Sequence, residues 1–241
     1  MKIAVCLSGI MNHYKTGHSM MSSFYEGCER EYYIHSWSDA SKKGILSEEL
    51  ISFFCPRKIQ IDSFCDFSNH FGDADLDLTR LKNGNLSNAV SWLKSVYEVG
   101  KLIESDDREY DYVVFTRPDV FASGDRLLAT IPEKNDGKIY SSFVSGAEWV
   151  VDQYNLPESG RGHIDAKFIC STKSNMVYFS KLYECLYKYV IEEKVPMCHH
   201  RLMYHHMMPI IKNVGHQQIW VSNQSLNGGW FYIRDNGFQG S

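Results

Sequence analysis

The residues best suited to chemistry follow the strongest buried-strand signal in the chain, Tyr110-Asp111-Tyr112-Val113-Val114-Phe115-Thr116, which passes directly into Arg117-Pro118-Asp119. Such a run reads as a buried strand, and proline ends it because it has no N–H to give to a sheet ladder. A cation and a carboxylate therefore project from a strand end, the edge at which open α/β sheets bind ligands. Asp119 has the oxygen chemistry that Mg²⁺ or Mn²⁺ prefers, and Arg117 has the planar fork that grips a phosphate. The bland alternative is that both residues pair with other side chains and finish the strand in a turn.

The segment Cys198-His199-His200-Arg201-Leu202-Met203-Tyr204-His205-His206 competes as a metal site and raises the alternative of a zinc-dependent hydrolase or metal-binding module. Helical zinc pairs such as His-Glu-x-x-His set their ligands four residues apart, whereas these histidines are separated by one, five, six or seven. That spacing leaves core, surface or pocket roles, or a single histidine joining Asp119 or Asp165 through the fold. His206 shares a helical face with His199, Leu202 and Met203, which points it inward. Asp73-Ala74-Asp75-Leu76-Asp77 imitates a calcium loop, but Leu78 stands where that loop needs Gly and Gly84 where it needs Glu, so it reads as solvated loop. His35 with Trp37, and Trp230 with Tyr232, offer aromatic faces either to a sugar or nucleobase or to the core.

The elements that must position these groups alternate between strand and helix. Residues 2 to 7 form a buried first strand stopped at Ser8-Gly9, followed by a helix over 19 to 28 and a strand over 32 to 35. A helix over 47 to 54 ends before Pro56, and residues 58 to 62 alternate as a strand. Residues 66 to 85, rich in Asp, Asn and Gly, predict a long mobile surface loop. A helix over 87 to 105 feeds the central strand. Further strands are predicted at 138 to 144 and 166 to 170, a loop over 149 to 162, a continuous helix over 174 to 193 closed by Pro196, and a helix over 198 to 208. Strands at 218 to 222 and 230 to 234, separated by Asn227-Gly228-Gly229, predict a hairpin or equivalent antiparallel excursion.

Composition bounds the reading. The chain has 241 residues, 44% hydrophobic and 22% charged, as expected of a packed globular protein and of one domain over 1–241. The net charge of −4 with dispersed basic residues argues against a broad nucleic-acid surface, leaving nucleic acid at most as a small substrate. The opening apolar run is too short for a secretory signal, and nowhere do about 18 apolar residues run together. Seven cysteines without a Cys-x-x-Cys pair favour reduced thiols, so a cytoplasmic protein without a transmembrane segment is expected.

Four blocks in order resemble a group of glycosyltransferases that build bacterial and viral surface glycans. They are Lys2-Ile3-Ala4 with Ser8-Gly9; Ile34-His35-Ser36-Trp37; Tyr110-Asp111-Tyr112-Val113 through Arg117 and Asp119; and Asp165 and Phe168 before Met176, Leu182 and Tyr183. The resemblance spans most of residues 1 to 183. It implies an α/β, GT-A-like fold, a Rossmann-like mixed central sheet flanked by helices, with a donor-binding half over 1–120 and an acceptor-side half over 121–241. It also implies a nucleotide-sugar donor of UDP or GDP type, with Mn²⁺ or Mg²⁺ as a possible cofactor.

In that reading Ser8, Gly9 and Trp37 lie near the donor, and Arg117 and Asp119 at its diphosphate or metal. Ile10-Met11-Asn12-His13-Tyr14-Lys15 replaces a segment in which relatives often carry arginine, so Lys15 or His13 becomes the phosphate contact. The usual Asp-x-Asp is reduced to Asp119. An inverting transferase needs a general base for the acceptor hydroxyl, and Asp165, after Gly160-Arg161-Gly162-His163, is the first candidate and Glu148 the second. The acceptor implied is a surface glycan, with a modified base of viral DNA as the lesser option. A catalytically silent glycan-binding protein of the same fold is the remaining alternative.

Overall fold

The computed structural model describes residues 1–38, 47–76, 85–123, 126–142, 164, 167–219, 229–234 and 237–240. In chain order its elements are β1 (Lys2–Ser8), α1 (Tyr14–Phe24), β2 (Glu29–Ser38), α2 (Ser47–Phe54), β3 (Lys58–Ser63), α3 (Leu86–Glu104), β4 (Tyr112–Thr116), β5 (Val120–Ser123), α4 (Leu127–Thr130), β6 (Ile139–Ser142), β7 (Phe168–Ser171), α5 (Lys173–Ser180), α6 (His199–Val214), β8 (His216–Ile219), β9 (Gly229–Arg234) and β10 (Gly237–Gly240).

Alternate residues of β1 face two different cores, Ile3, Val5 and Leu7 on one side and Ala4 and Cys6 on the other. β4 repeats the pattern, with Tyr112 and Val114 on the first side and Val113 and Phe115 on the second. A strand covered on both faces must be apolar throughout, which is why these two segments read so clearly in the sequence. They are neighbours in a seven-stranded sheet ordered β3-β2-β1-β4-β7-β6-β8. β1, β2, β3 and β4 run parallel; β7 is antiparallel to β4 and β6, and β8 is parallel to β6. The sheet is therefore mixed, with α1, α2 and α4 supplying the core on one face and α3, α5 and α6 on the other. No helix among the described residues is long and apolar enough to cross a membrane. All seven cysteines are free thiols.

Several local expectations need correction. The helix expected over 174 to 193 winds unevenly: α5 passes into a 3₁₀ turn at Lys181–Cys185 and a π turn at Lys188–Glu192. Met176, Phe179, Leu182, Leu186 and Val190 are all buried, at spacings of three, three, four and four. The backbone tightens and then widens along those spacings, because packing against α3 outweighs regular winding. α6 runs six residues beyond Met208, carries Pro209 inside it and ends at Gly215, whose φ of 88° an L residue rarely adopts. α1 lies earlier than expected, since Tyr14, Gly17, Met21 and Phe24 are its buried face.

β8 and β9 do not form a hairpin. β8 joins the large sheet beside β6, whereas β9 pairs with β10 and β5 in a separate three-stranded antiparallel sheet. β5, unforeseen in the sequence, begins directly after Asp119, so Arg117-Pro118-Asp119 is the link by which the chain leaves the large sheet for the small one. The polar stretch from 66 is anchored where it is described, with Phe67 and Phe71 buried. The expected loop at 149 to 162 lies outside the described residues.

Candidate functional site

The chain leaves β1 towards β2 on one side and returns to β4 on the other, so the strand order reverses between β1 and β4. Crevices form at such switch points, outside the carboxyl ends of the strands. Here the cavity measures about 350 Å³, and four segments line it. They are Ser8 to His13 after β1, Trp37 at the end of β2, Asn88, Ser91 and Trp92 in the first turns of α3, and Arg117 to Asp119 after β4.

Each segment is held by a local device. Gly9 turns the chain at a φ of 105°, and its N–H donates to Ser95 Oγ of α3 at 2.7 Å. The β4–β5 link is fixed from below by α1. A Cβ on Gly17 would fall 2.0 Å from the Pro118 carbonyl oxygen, so only glycine lets the helix approach this closely. α3 begins at Asn85, whose side chain accepts the Asn88 N–H at 2.9 Å, a standard N-cap that sets Asn88, Ser91 and Trp92 on the cavity wall. Thr116 Oγ1 donates to the Lys167 carbonyl at 2.6 Å and ties the end of β4 to the approach of β7.

Arg117 and Asp119 meet each other. Nε donates to Oδ1 at 2.9 Å and Nη2 to Oδ2 at 2.8 Å, with Asp119 almost wholly buried. Both readings of this segment therefore describe one geometry: the pair finishes the turn, and the turn lines the cavity. Arg117 and Lys167 also act on His199, whose ring lies 5.7 Å from that of Trp92. Burial first, then the charges of His200, Arg117 and Lys167, hold the His199 imidazole well below its ordinary pKa, so it stays neutral among cations. Trp37 and Trp92 contribute a different property. Their indole N–H groups are buried with no hydrogen-bond partner among the described residues, although Trp37 is only 6% exposed and packs edge-on against His35, Phe64 and Phe67. Both residues line the cavity, but these two nitrogens are themselves closed off from it, so the rings and not the N–H groups form the wall.

Of the residues singled out in the sequence, Ser8, Gly9, His13, Trp37, Arg117 and Asp119 are brought together here. Lys15 is not. It lies on α1 with Nζ 2.7 Å from Glu49 Oε1 of α2, because the Gly17 face of that helix, not the Lys15 face, packs against the link. Asp165 and Glu148 lie outside the described residues; of Asp165's neighbours, Ile164 exchanges hydrogen bonds with His200 at the start of α6, and Lys167 receives that of Thr116. Trp230 and Tyr232 fall on β9.

The histidines of α6 are engaged separately. His200 bonds the Ile164 carbonyl, His205 bonds Glu193, and His206 bonds Tyr189 and the Tyr178 carbonyl while stacking on the Tyr178 ring at 4.5 Å. Among the described residues no three His, Cys, Asp or Glu side chains converge as a metal cluster would. Asp73 and Asp75 are exposed. Asn88, Ser91 and Trp92 were missed by sequence reasoning. Their signal was a polar stripe, Asn88, Ser91 and Ser95, at helical spacing within an apolar helix face.

The fold and cavity define an α/β protein with a polar crevice at the switch point of a mixed sheet. No protein-family model and no curated protein matches the chain.

Proposed function

We propose that the chain is a nucleotide-sugar-dependent glycosyltransferase of GT-A type, and that the cavity at the ends of β1 and β4 receives the nucleoside diphosphate of the donor. The observation that carries this reading is the convergence of the Ser8-Gly9 turn, Trp37, Trp92 and the Arg117–Asp119 pair on one cavity of about 350 Å³. That volume lies within the range of small-molecule sites. The first turns of α3 and the nearby cations Arg117 and Lys167 favour an anionic occupant.

In the reaction, the bond between the anomeric carbon and the diphosphate oxygen breaks as the acceptor hydroxyl attacks, and charge builds on the departing nucleoside diphosphate. Arg117 stabilises that charge, and Asp119 aims its guanidinium. Mg²⁺ or Mn²⁺ would add charge at the same place, with Asp119 as its ligand in the described part of the wall; an ion there must take an oxygen from Arg117. Asp165, or Glu148 in its place, accepts the proton of an acceptor hydroxyl on a surface glycan.

A ligand that binds only the folded state raises its melting temperature. UDP or GDP is expected to raise Tm in a panel that also contains CDP and dTDP, each with and without Mn²⁺, and UDP- or GDP-sugars are expected to release free nucleoside diphosphate. A flat panel would falsify the reading; binding without release would leave a glycan-recognition protein of the same fold.

A further inference from the structure

We infer that Asp62, His35 and Ser95 form a buried positioning relay that fixes the Gly9 turn of the ligand cavity. His35 Nε2 lies 3.1 Å from Asp62 Oδ2, His35 Nδ1 lies 2.7 Å from Ser95 Oγ, and Ser95 Oγ accepts the Gly9 N–H at 2.7 Å. Three elements, β3, β2 and α3, are thus linked to the turn after β1 by consecutive hydrogen bonds.

An Asp–His–Ser order is also that of a hydrolytic triad, but here the serine cannot act as nucleophile. Ser95 and His35 are both 0% exposed, and the serine oxygen is already the acceptor of a backbone N–H. No substrate carbonyl reaches it, so the arrangement serves geometry.

The protons order themselves in one direction. The Asp62 carboxylate, also held by Gln60 Nε2 at 2.9 Å, accepts from Nε2–H and so fixes that tautomer. The Ser95 hydroxyl then has two acceptors, the Nδ1 lone pair at 2.7 Å and the His35 carbonyl at 3.3 Å; the shorter bond takes its proton, and the serine oxygen presents its lone pair to Gly9. Hydrogen bonds aligned in this way polarise one another. Burial, outweighing Asp62 and Glu98 and aided by Lys94, lowers the pKa of His35 and keeps the ring in this neutral form.

Two consequences reach the cavity. The Gly9 N–H is consumed internally, so Gly9 contributes its left-handed turn to the site and not a donor to the ligand. Trp37, two residues beyond His35 and edge-on to its ring at 5.0 Å, is braced by the same imidazole. The inference rests on the proposed reading only in taking this cavity as the ligand site.

The test is hydrogen exchange at the Gly9 amide, read by ¹⁵N NMR, together with the nitrogen shifts of His35 and titration with UDP and GDP. Ser95→Ala is expected to speed Gly9 exchange about tenfold or more relative to the amides of β4, the effect of leaving a buried donor unpaired. Asp62→Ala provides the decisive variant, because Asp62 is 39% exposed, tolerates truncation and touches Gly9 nowhere. It is expected to convert His35 to mixed tautomers, to speed Gly9 exchange and to weaken nucleotide binding, while Asp62→Asn, which keeps an acceptor, restores most of each. Unchanged Gly9 exchange in both alanine variants overturns the relay, and faster exchange with unchanged nucleotide affinity overturns its part in shaping the cavity. If the wild-type protein binds no nucleoside diphosphate, the glycosyltransferase reading falls, and the exchange data still decide whether the relay holds Gly9.

Discussion

At the amino ends of the central strands, polar side chains close upon one another. Glu31 of β2 accepts hydrogen bonds from Arg108 and Tyr110 and lies 3.3 Å from Lys2 Nζ; Arg57 Nε donates to Asp106 at 2.6 Å; and the Tyr33 and Tyr110 hydroxyls meet at 2.8 Å. A hollow of about 640 Å³ lies at that end, larger than the cavity at the other. Its wall is nonetheless occupied by its own contacts: Lys173 Nζ bonds the Asp106 and Arg108 carbonyls, Asn135 bonds the Asp111 carbonyl, and Thr172 caps α5. At the carboxyl ends the polar groups are fixed just as firmly, by Ser95, Gly17 and the Asn85 cap, and the cavity there is lined by four separate segments. Volume therefore does not distinguish a fastening from a site. What distinguishes them is place: the smaller cavity lies outside the carboxyl ends of the strands, where the strand order reverses.

The comparison breaks most sharply at Gly17. Gly17→Val is expected to push the Pro118 link out of place, at a cost of several kcal/mol as an overpacked contact against backbone, and to abolish nucleotide binding. Chemical denaturation and titration would read both. Unchanged binding in this variant would show that the link does not shape the cavity.

Asp106→Ala, at the opposite end, is expected to cost about 1–3 kcal/mol through the groups it leaves unpaired, with nucleotide affinity unchanged. Loss of affinity as well would mean that the two ends are coupled. Asp119→Ala should show the reverse balance, with affinity lost by about tenfold or more, since a charge-assisted bidentate partner of Arg117 is removed, and turnover lost with it.

Acid titration separates regions by window. Burial lowers the His206 pKa to about 4, so its contribution to stability is present above the ordinary imidazole value of 6.5 and is lost as pH falls through about 4. For Asp106 burial opposes ionisation, but hydrogen bonds from Arg57, the Arg108 backbone and Tyr33 prevail and hold its pKa at about 2. Its contribution is present above 3.8 and is lost as pH falls through about 2. Melting curves should lose stability in those two steps, the second vanishing in Asp106→Asn. A loss no larger than that of Asp106→Ala is expected from Tyr110→Phe, about 1–2 kcal/mol for the hydroxyl's two bonds to Glu31 and Tyr33, with no change in ligand affinity.

Much of the central sheet was legible because burial on both faces leaves continuous apolar runs at β1 and β4, and because a proline and a positive-φ glycine mark where those runs stop. The capped helix α3 was legible from its period. The uneven winding after α5, the separation of β8 from β9, and the pairing of β5 with β9 were not, since each depends on which partner surface a segment meets.

For the candidate site the sequence determined the residue types at three strand ends: Ser8 and Gly9 where β1 stops, Arg117 and Asp119 after β4, and Trp37 near the end of β2. Strand ends are local properties, set by where hydrophobicity stops and a turn residue stands. Only the tertiary structure decided that these ends share a cavity, that Arg117 grips Asp119, that Lys15 faces Glu49, and that Asn88, Ser91 and Trp92 of α3 complete the wall. Those outcomes depend on strand order and on how closely α1 and α3 approach the sheet, and such distances arise from contacts between residues far apart in sequence, such as Gly17 against Pro118 and Gly9 against Ser95.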